Sequence, residues 1–102
     1  MDILEIIAGA YGSALATAAN NGHVPTMKLL IENGANVNLR GGAYGKALVT
    51  AANNDHLDAV KLLVKNGADV TTHIGGHGTA SNVADRNNHR SVVKYLDLKR
   101  NQ

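Results

Sequence analysis

The chain repeats itself. Tyr11, Tyr44 and His77 stand at one spacing, as do Gly12, Gly45 and Gly78, and His23, His56 and His89, and that spacing is 33 residues. Residues 11–43 laid on 44–76 agree at 18 of 33 positions, among them Ala14/Ala47, Leu15/Leu48, Ala18/Ala51, Ala19/Ala52, Asn33/Asn66 and Gly34/Gly67. A period of this length belongs to proteins that stack one supersecondary unit on the next, because a single unit cannot bury its apolar face alone. With 102 residues there is room for one domain of about three such units.

Each unit reads as two short antiparallel helices. "SALATAANN" places Ala14, Leu15, Ala18 and Ala19 on one helical face. Ser13 and Thr79 suit the N-cap of this helix in the first and third units, whereas Lys46 in the second does not. "VPTMKLLIEN" then carries Val24, Met27, Leu30 and Ile31 along one side, with Pro25 in the first turn and Gly34 as a left-handed stop. The stretch that follows, "ANVNLRGGAYG", holds one apolar Val37 among Gly and Asn and reads as an extended turn into the next hairpin. In this register Tyr11, Tyr44 and His77 fall in successive turns and are expected to stack.

The core such helices can build is thin. Aromatic residues make up 3% of the chain, with no Phe and no Trp, so Ala, Leu, Val and Ile must fill it. The absence of cysteine excludes a disulfide framework, a thiolate zinc site and a cysteine nucleophile, and an intracellular setting, cytoplasmic or nuclear, is expected. "MDILEIIAGA" is acidic where a signal peptide is basic, and its apolar run is too short to span a bilayer, so no membrane partner is expected. A formal charge of +2 argues against nucleic acid.

The stretches "ALATAANNGH" with "MKLLIENGANVN", and "ALVTAANNDH" with "VKLLVKNGADVT", resemble the ankyrin repeat family, strongly over residues 9–72 and weakly over 73–98. The "GGAYGKAL" run is similar to a form found in large fungal ankyrin proteins. The resemblance implies an all-α solenoid of helix-turn-helix units joined by extended turns, and divides the chain into a partial unit (1–8), a first repeat (9–41), a second (42–74) and a capping third (75–102). It implies a protein-protein interaction module without a cofactor, holding a partner protein on the concave surface of turn tips and first helices. The non-repeating positions there are Leu39, Arg40, Ala43, Asn53, Asn54, His73, Ile74, Arg86 and Asn87, with Arg40, Leu39 and Ile74 as the expected energetic centre. "LIENGANVN" also resembles the sequence that asparaginyl hydroxylases modify in ankyrin repeats, with Asn38 as target; a turn asparagine bonded to its neighbours is the plainer reading.

The two ends differ. In register, Ser81 replaces Leu15 and Leu48, Asp85 replaces Ala19 and Ala52, Arg90 replaces Val24 and Leu57, and Asp97 replaces Ile31 and Val64. These are the polar substitutions of a C-terminal cap, with Val92, Val93, Tyr95 and Leu96 keeping an inward face. At the other end the cap is weak or missing. "MDILEIIA" overlies the extended turn "GANVNLRG", so Ile3, Leu4, Ile6 and Ile7 are expected to fold back as a strand or a single helical turn over a partly bare face. Such a face implies either that the chain continues a longer array or that two copies meet there as a symmetric homodimer, a self-assembling alternative to the binding module.

Reaction chemistry has no candidate. His23, His56 and His89 recur one unit apart, which spreads them along the stack and suits a bond to backbone at the inter-helix turn. His73 and His77 in "HIGGHG" lack a third ligand for a metal. "GGAYG" and "GGHG" lack the Lys-Ser/Thr of a phosphate loop. With neither a nucleophile-base arrangement nor paired carboxylates, the chain is not expected to be an enzyme.

Overall fold

Helix hairpins form where the apolar spacing places them. A computed structural model describes residues 2–41, 45–72 and 78–101. Among these the elements are α1 (Ile3–Asn20), α2 (Val24–Glu32), β1 (Arg40–Gly41), β2 (Gly45–Lys46), α3 (Ala47–Asn53), α4 (Leu57–Lys65), α5 (Ala80–Arg86) and α6 (Arg90–Arg100). The two-residue strands pair antiparallel, Arg40 with Lys46 and Gly41 with Gly45, and are the only sheet among the described residues. The architecture is an all-α repeat fold: α1, α3 and α5 form one row, α2, α4 and α6 the other, and each hairpin leans on the next.

The punctuation of the second helices follows the sequence. Pro25 lies in the first turn of α2, where a missing N–H costs nothing. Gly34 and Gly67, just past α2 and α4, have φ of 98° and 96°, and their amides close onto Ile31 and Val64. Lys46 gives α3 no side-chain cap. Thr79 caps α5 through a reciprocal box, its Oγ1 accepting from Asn82 N–H while Asn82 Oδ1 accepts from Thr79 N–H.

The first helix differs from the expectation. Residues 3–7 are neither a strand nor a folded-back turn; they continue into α1, which runs 18 residues. Asp2, not Ser13, is the N-cap, its carboxylate accepting from Glu5 N–H at 2.9 Å. Tyr11 is therefore helical, Gly12 and Ser13 lie inside α1, and their register partners Gly45 and Lys46 form β2. Tyr44 and His77, the other members of the expected stack, lie outside the described residues. The reason is what comes before. In the second unit the hairpin starts from a turn held by buried Val37 and by Asn38, whereas residues 2–6 are exposed and a helix capped by Asp2 satisfies their amides locally. Gly12 costs about 1 kcal/mol in a helix interior, but the Leu39 side chain packs on it, and a Cβ there would stand 2.6 Å from Leu39 Cδ2.

The core is one continuous cluster of small and aliphatic side chains. Leu15, Ala19, Met27, Ala51, Ala52, Ala59, Val60, Leu63, Ala84 and Val92 are fully buried, and Leu96 nearly so. Ala14 was expected on the same face as Leu15 and is exposed, although Ala47 and Ala80 are each 2% exposed. No preceding hairpin covers it in the structure. At the C-terminal end the replacements are polar: Asp85, Arg90 and Asp97 are exposed, and buried Ser81 donates its hydroxyl proton to Asp97 Oδ1 at 2.7 Å. Ser81, Asp85 and Asp97 line a groove of about 380 Å³ with Asn82, Val93, Arg100 and Asn101.

Candidate protein-interaction surface

Side chains at the ends of the inner helices join one unit to the next. Asn20 Oδ1, at the end of α1, accepts from Thr50 Oγ1 at 2.7 Å and from Asn54 Nδ2 at 2.8 Å. One unit on, Asn53 Oδ1 accepts from Asn87 Nδ2 at 3.1 Å. His56 Nε2 lies 3.1 Å from the Asn20 carbonyl and His89 Nε2 lies 3.0 Å from the Asn53 carbonyl. A carbonyl only accepts, so both rings carry their proton on Nε2. His56 and His89 bond backbone, as expected, but across the unit boundary, whereas the His23 ring makes no such bond among the described residues. His89 Nδ1 also lies 3.8 Å from Asp55 Oδ2.

The turns are tied together in the same way. Asn38 Nδ2 donates to the Gly67 carbonyl at 3.0 Å, and Asn38 Oδ1 accepts from Asp69 N–H at 2.8 Å. Asp69 in turn accepts at Oδ1 from the Thr71 hydroxyl and amide, at 2.7 and 2.9 Å. Those bonds, with a further one from the Thr72 hydroxyl, lower the Asp69 carboxyl from 3.8 to about 2.

Against this frame the expected binding residues fall into three groups. Asn53, Asn54, Arg86 and Asn87 are exposed at the ends of α3 and α5, where Asn53, Asn54 and Asn87 also make the inter-unit bonds above. Leu39 is half-buried because it covers Gly12. Arg40 contributes its backbone to β1, while Ala43, His73 and Ile74 lie outside the described residues. At the N-terminal end Ile3, Leu4 and Ile6 are 70%, 72% and 53% exposed, and Ile7 is half-buried. Leu29 and Leu98 on the outer helices are also exposed, at 60% and 59%. Tyr95 sits between two ammonium groups, with Lys61 Nζ 5.7 Å and Lys99 Nζ 5.5 Å from its ring centroid.

Sequence reasoning missed the Thr50–Asn20–Asn54 junction. Its signal was present in the recurrence of Thr17/Thr50, Asn20/Asn53 and Asn21/Asn54/Asn87, which no helical-face argument requires. Among the described residues no cluster of three His, Asp or Glu could hold a metal, and no helix is long and apolar enough to cross a membrane.

Hairpins in two parallel rows, joined by extended turns and locked by side chains repeating every 33 residues, define a helical repeat scaffold. The family model for ankyrin repeats in three copies matches residues 3–74, 72 of the 102, and the chain belongs to that family. The matched segment ends just ahead of the unit with the polar cap substitutions. No curated protein matches the chain. Ankyrin repeats are in general protein-protein interaction modules, and that is the class of this chain.

Proposed function

We propose that the chain binds a partner protein through the surface formed by its turn tips and inner helices, at Leu39, Arg40, Ala43, Asn53, Asn54, His73, Ile74, Arg86 and Asn87. One observation carries this reading. Asn53, Asn54 and Asn87 are exposed yet held by hydrogen bonds between units, so a partner meets amide groups whose rotamers are already fixed. Binding to ordered side chains avoids about 0.5–1.5 kcal/mol of entropy loss for each.

The test is to select peptides from a random display library against the whole chain and map the binders by NMR. Shift changes at Leu39, Asn53, Asn54, Arg86 and Asn87 that vanish in Arg40→Ala/Ile74→Ala support the reading. Changes centred on α2, α4 and α6 contradict it. A second reading, self-association through the N-terminal face, is favoured by the exposure of Ile3, Leu4 and Ile6. Light scattering across concentration decides it, since a mass that rises with protein is expected only there.

A further inference from the structure

The outer row of helices holds most of the positive charge. α2, α4 and α6 together carry seven Lys or Arg against three Asp or Glu, +4, so everything else in a chain of +2 sums to −2. Part of that charge is in register: Lys28, Lys61 and Lys94 stand 33 residues apart, at the same place on successive outer helices, and all three are exposed. Among the described residues none of them is ion-paired. Beside the lysines runs an apolar row, one position further along each helix. Leu29 is 60% exposed there, and Leu62 and Tyr95 are half-buried. Lys61 reaches from α4 over the Tyr95 ring on α6, which ties the two rows together. A groove of about 260 Å³ opens between α2 and α4, lined by Lys28, Ile31, Glu32, Leu62, Lys65 and Asn66, with room for a proline ring.

The flanking positions lack this regularity. About one helical turn before the lysines stand Pro25, Asp58 and Ser91, and about one turn after them Glu32, Lys65 and Leu98, all exposed. A bilayer surface or a polyphosphate presents its charge to the whole face and would meet Asp58 and Glu32 along with the lysines. A single-stranded nucleic acid needs aromatic platforms for its bases, and Tyr95 is the one aromatic side chain of the outer row. A peptide sets its side chains one by one, so it can place acids on the middle row and keep them off the flanks.

Spacing selects the backbone of that peptide. Packed helices lie about 8–10 Å apart; α2 with α4, and α4 with α6, are packed neighbours, so the three lysines mark that interval twice. A polyproline II helix has three residues per turn and rises about 3.1 Å for each, which returns a side chain to one face roughly every 9.3 Å. A β-strand repeats a face at about 6.7 Å and an α-helix at about 5.4 Å, and both fall out of step over three lysines.

We propose that the outer row is a second docking strip, for an acidic, proline-rich segment of another protein in the polyproline II conformation with Asp or Glu at every third position. Its carboxylates meet Lys28, Lys61 and Lys94 in turn, while the intervening prolines pack on Leu29, Leu62 and Tyr95. Such a segment is already stiff and loses little freedom on docking, which suits a strip held by exposed ion pairs. The strip shares no residue with the turn-tip surface proposed above and lies on different helices, so either can fail alone.

The probe is a fluorescent peptide of three Glu-Pro-Pro triplets followed by three prolines, titrated with the whole chain at low salt. A saturable complex is expected, weakened by added salt, with NMR shift changes at Lys28, Leu29, Lys61, Leu62, Lys94 and Tyr95. Lys28→Gln, Lys61→Gln and Lys94→Gln should each weaken it about two- to fivefold, the effect of losing one exposed ion pair. Lys46→Gln, away from the strip, should leave it unchanged. Lys and Gln have similar helix propensities, so the three outer variants are expected to fold. Three Glu-Pro-Pro-Pro quartets, identical in composition, turn successive carboxylates off the face and should bind about tenfold more weakly, having lost two of three pairs. Equal affinity for the two peptides, no complex at ~1 mM, or shift changes centred on α1, α3 and α5 overturns the proposal. So does binding to phosphatidylglycerol vesicles where the peptide fails to bind, which makes a membrane surface the occupant.

Discussion

Asn38 and Asp69, 31 residues apart, are joined by a 2.8 Å bond from the Asp69 amide to the Asn38 side-chain oxygen, while the other end of the same side chain donates to the Gly67 carbonyl. One half-buried amide therefore fixes the spacing of two successive turns. Asn38→Ala removes two solvent-exposed bonds to backbone and is expected to cost about 0.5–1.5 kcal/mol for each. Urea unfolding that shows no loss would mean that the turns are held independently.

Gly22 has a φ of 67° and the His56 ring beside it, 2.6 Å from where a Cβ would be. Asp55 and Asn88, one and two units on, take φ of 61° with side chains present. Gly22→Ala should lower stability by about 1–2 kcal/mol, since alanine tolerates the left-handed region poorly. Gly22→Asn should be milder, because asparagine visits that region and His89 already accommodates Asp55 there. Equal losses by thermal melting would place the whole effect in the contact with His56.

Leu48, in the middle unit, is 3% exposed. Leu48→Ala is expected to destabilise by about 2–5 kcal/mol, enough to unfold a small stack. A loss under about 1 kcal/mol in urea would contradict its place in the core.

Much of the fold was legible because the repeat averages out local ambiguity. The apolar faces of α2, α4 and α6, the Thr79 cap, the stop at Gly34 and the polar end at Ser81, Asp85 and Asp97 each follow from residue type and spacing. The start of α1 did not. "GAYG" occurs at residues 9–12 and again at 42–45, yet Gly12 is helical and Gly45 is in a strand, so the tetrapeptide does not decide its own structure. What precedes it does. The junction of Asn20 with Thr50 and Asn54 was also hidden, since it depends on how far α3 is displaced from α1 and not on either helix alone. Of the binding surface, the sequence indicated which positions vary; it did not indicate that Leu39 would be committed to Gly12.

The Asp69 carboxyl is lowered to about 2 by the Thr71 hydroxyl and amide, then by Thr72. A depressed folded value means that its contribution is present above the ordinary 3.8 and is lost as pH falls from there through about 2. NMR titration should show Asp69 ionised at pH 3, and Thr71→Ala should return its midpoint toward the ordinary range. A wild-type midpoint near 4 would mean that the turn bonds are not formed in solution.

The stack itself is tested most directly by the nitrogen-15 and proton spectra of the three recurring histidines. Because His56 and His89 each donate from Nε2 to a carbonyl of the preceding unit, both should show the Nε2–H tautomer, a slowly exchanging ring proton and ring contacts to Asn20 and Asn53 respectively. His23, with no unit before it in the structure, should show a freely exchanging ring. Three rings alike, all open to solvent and without contacts across the unit boundary, would contradict the account.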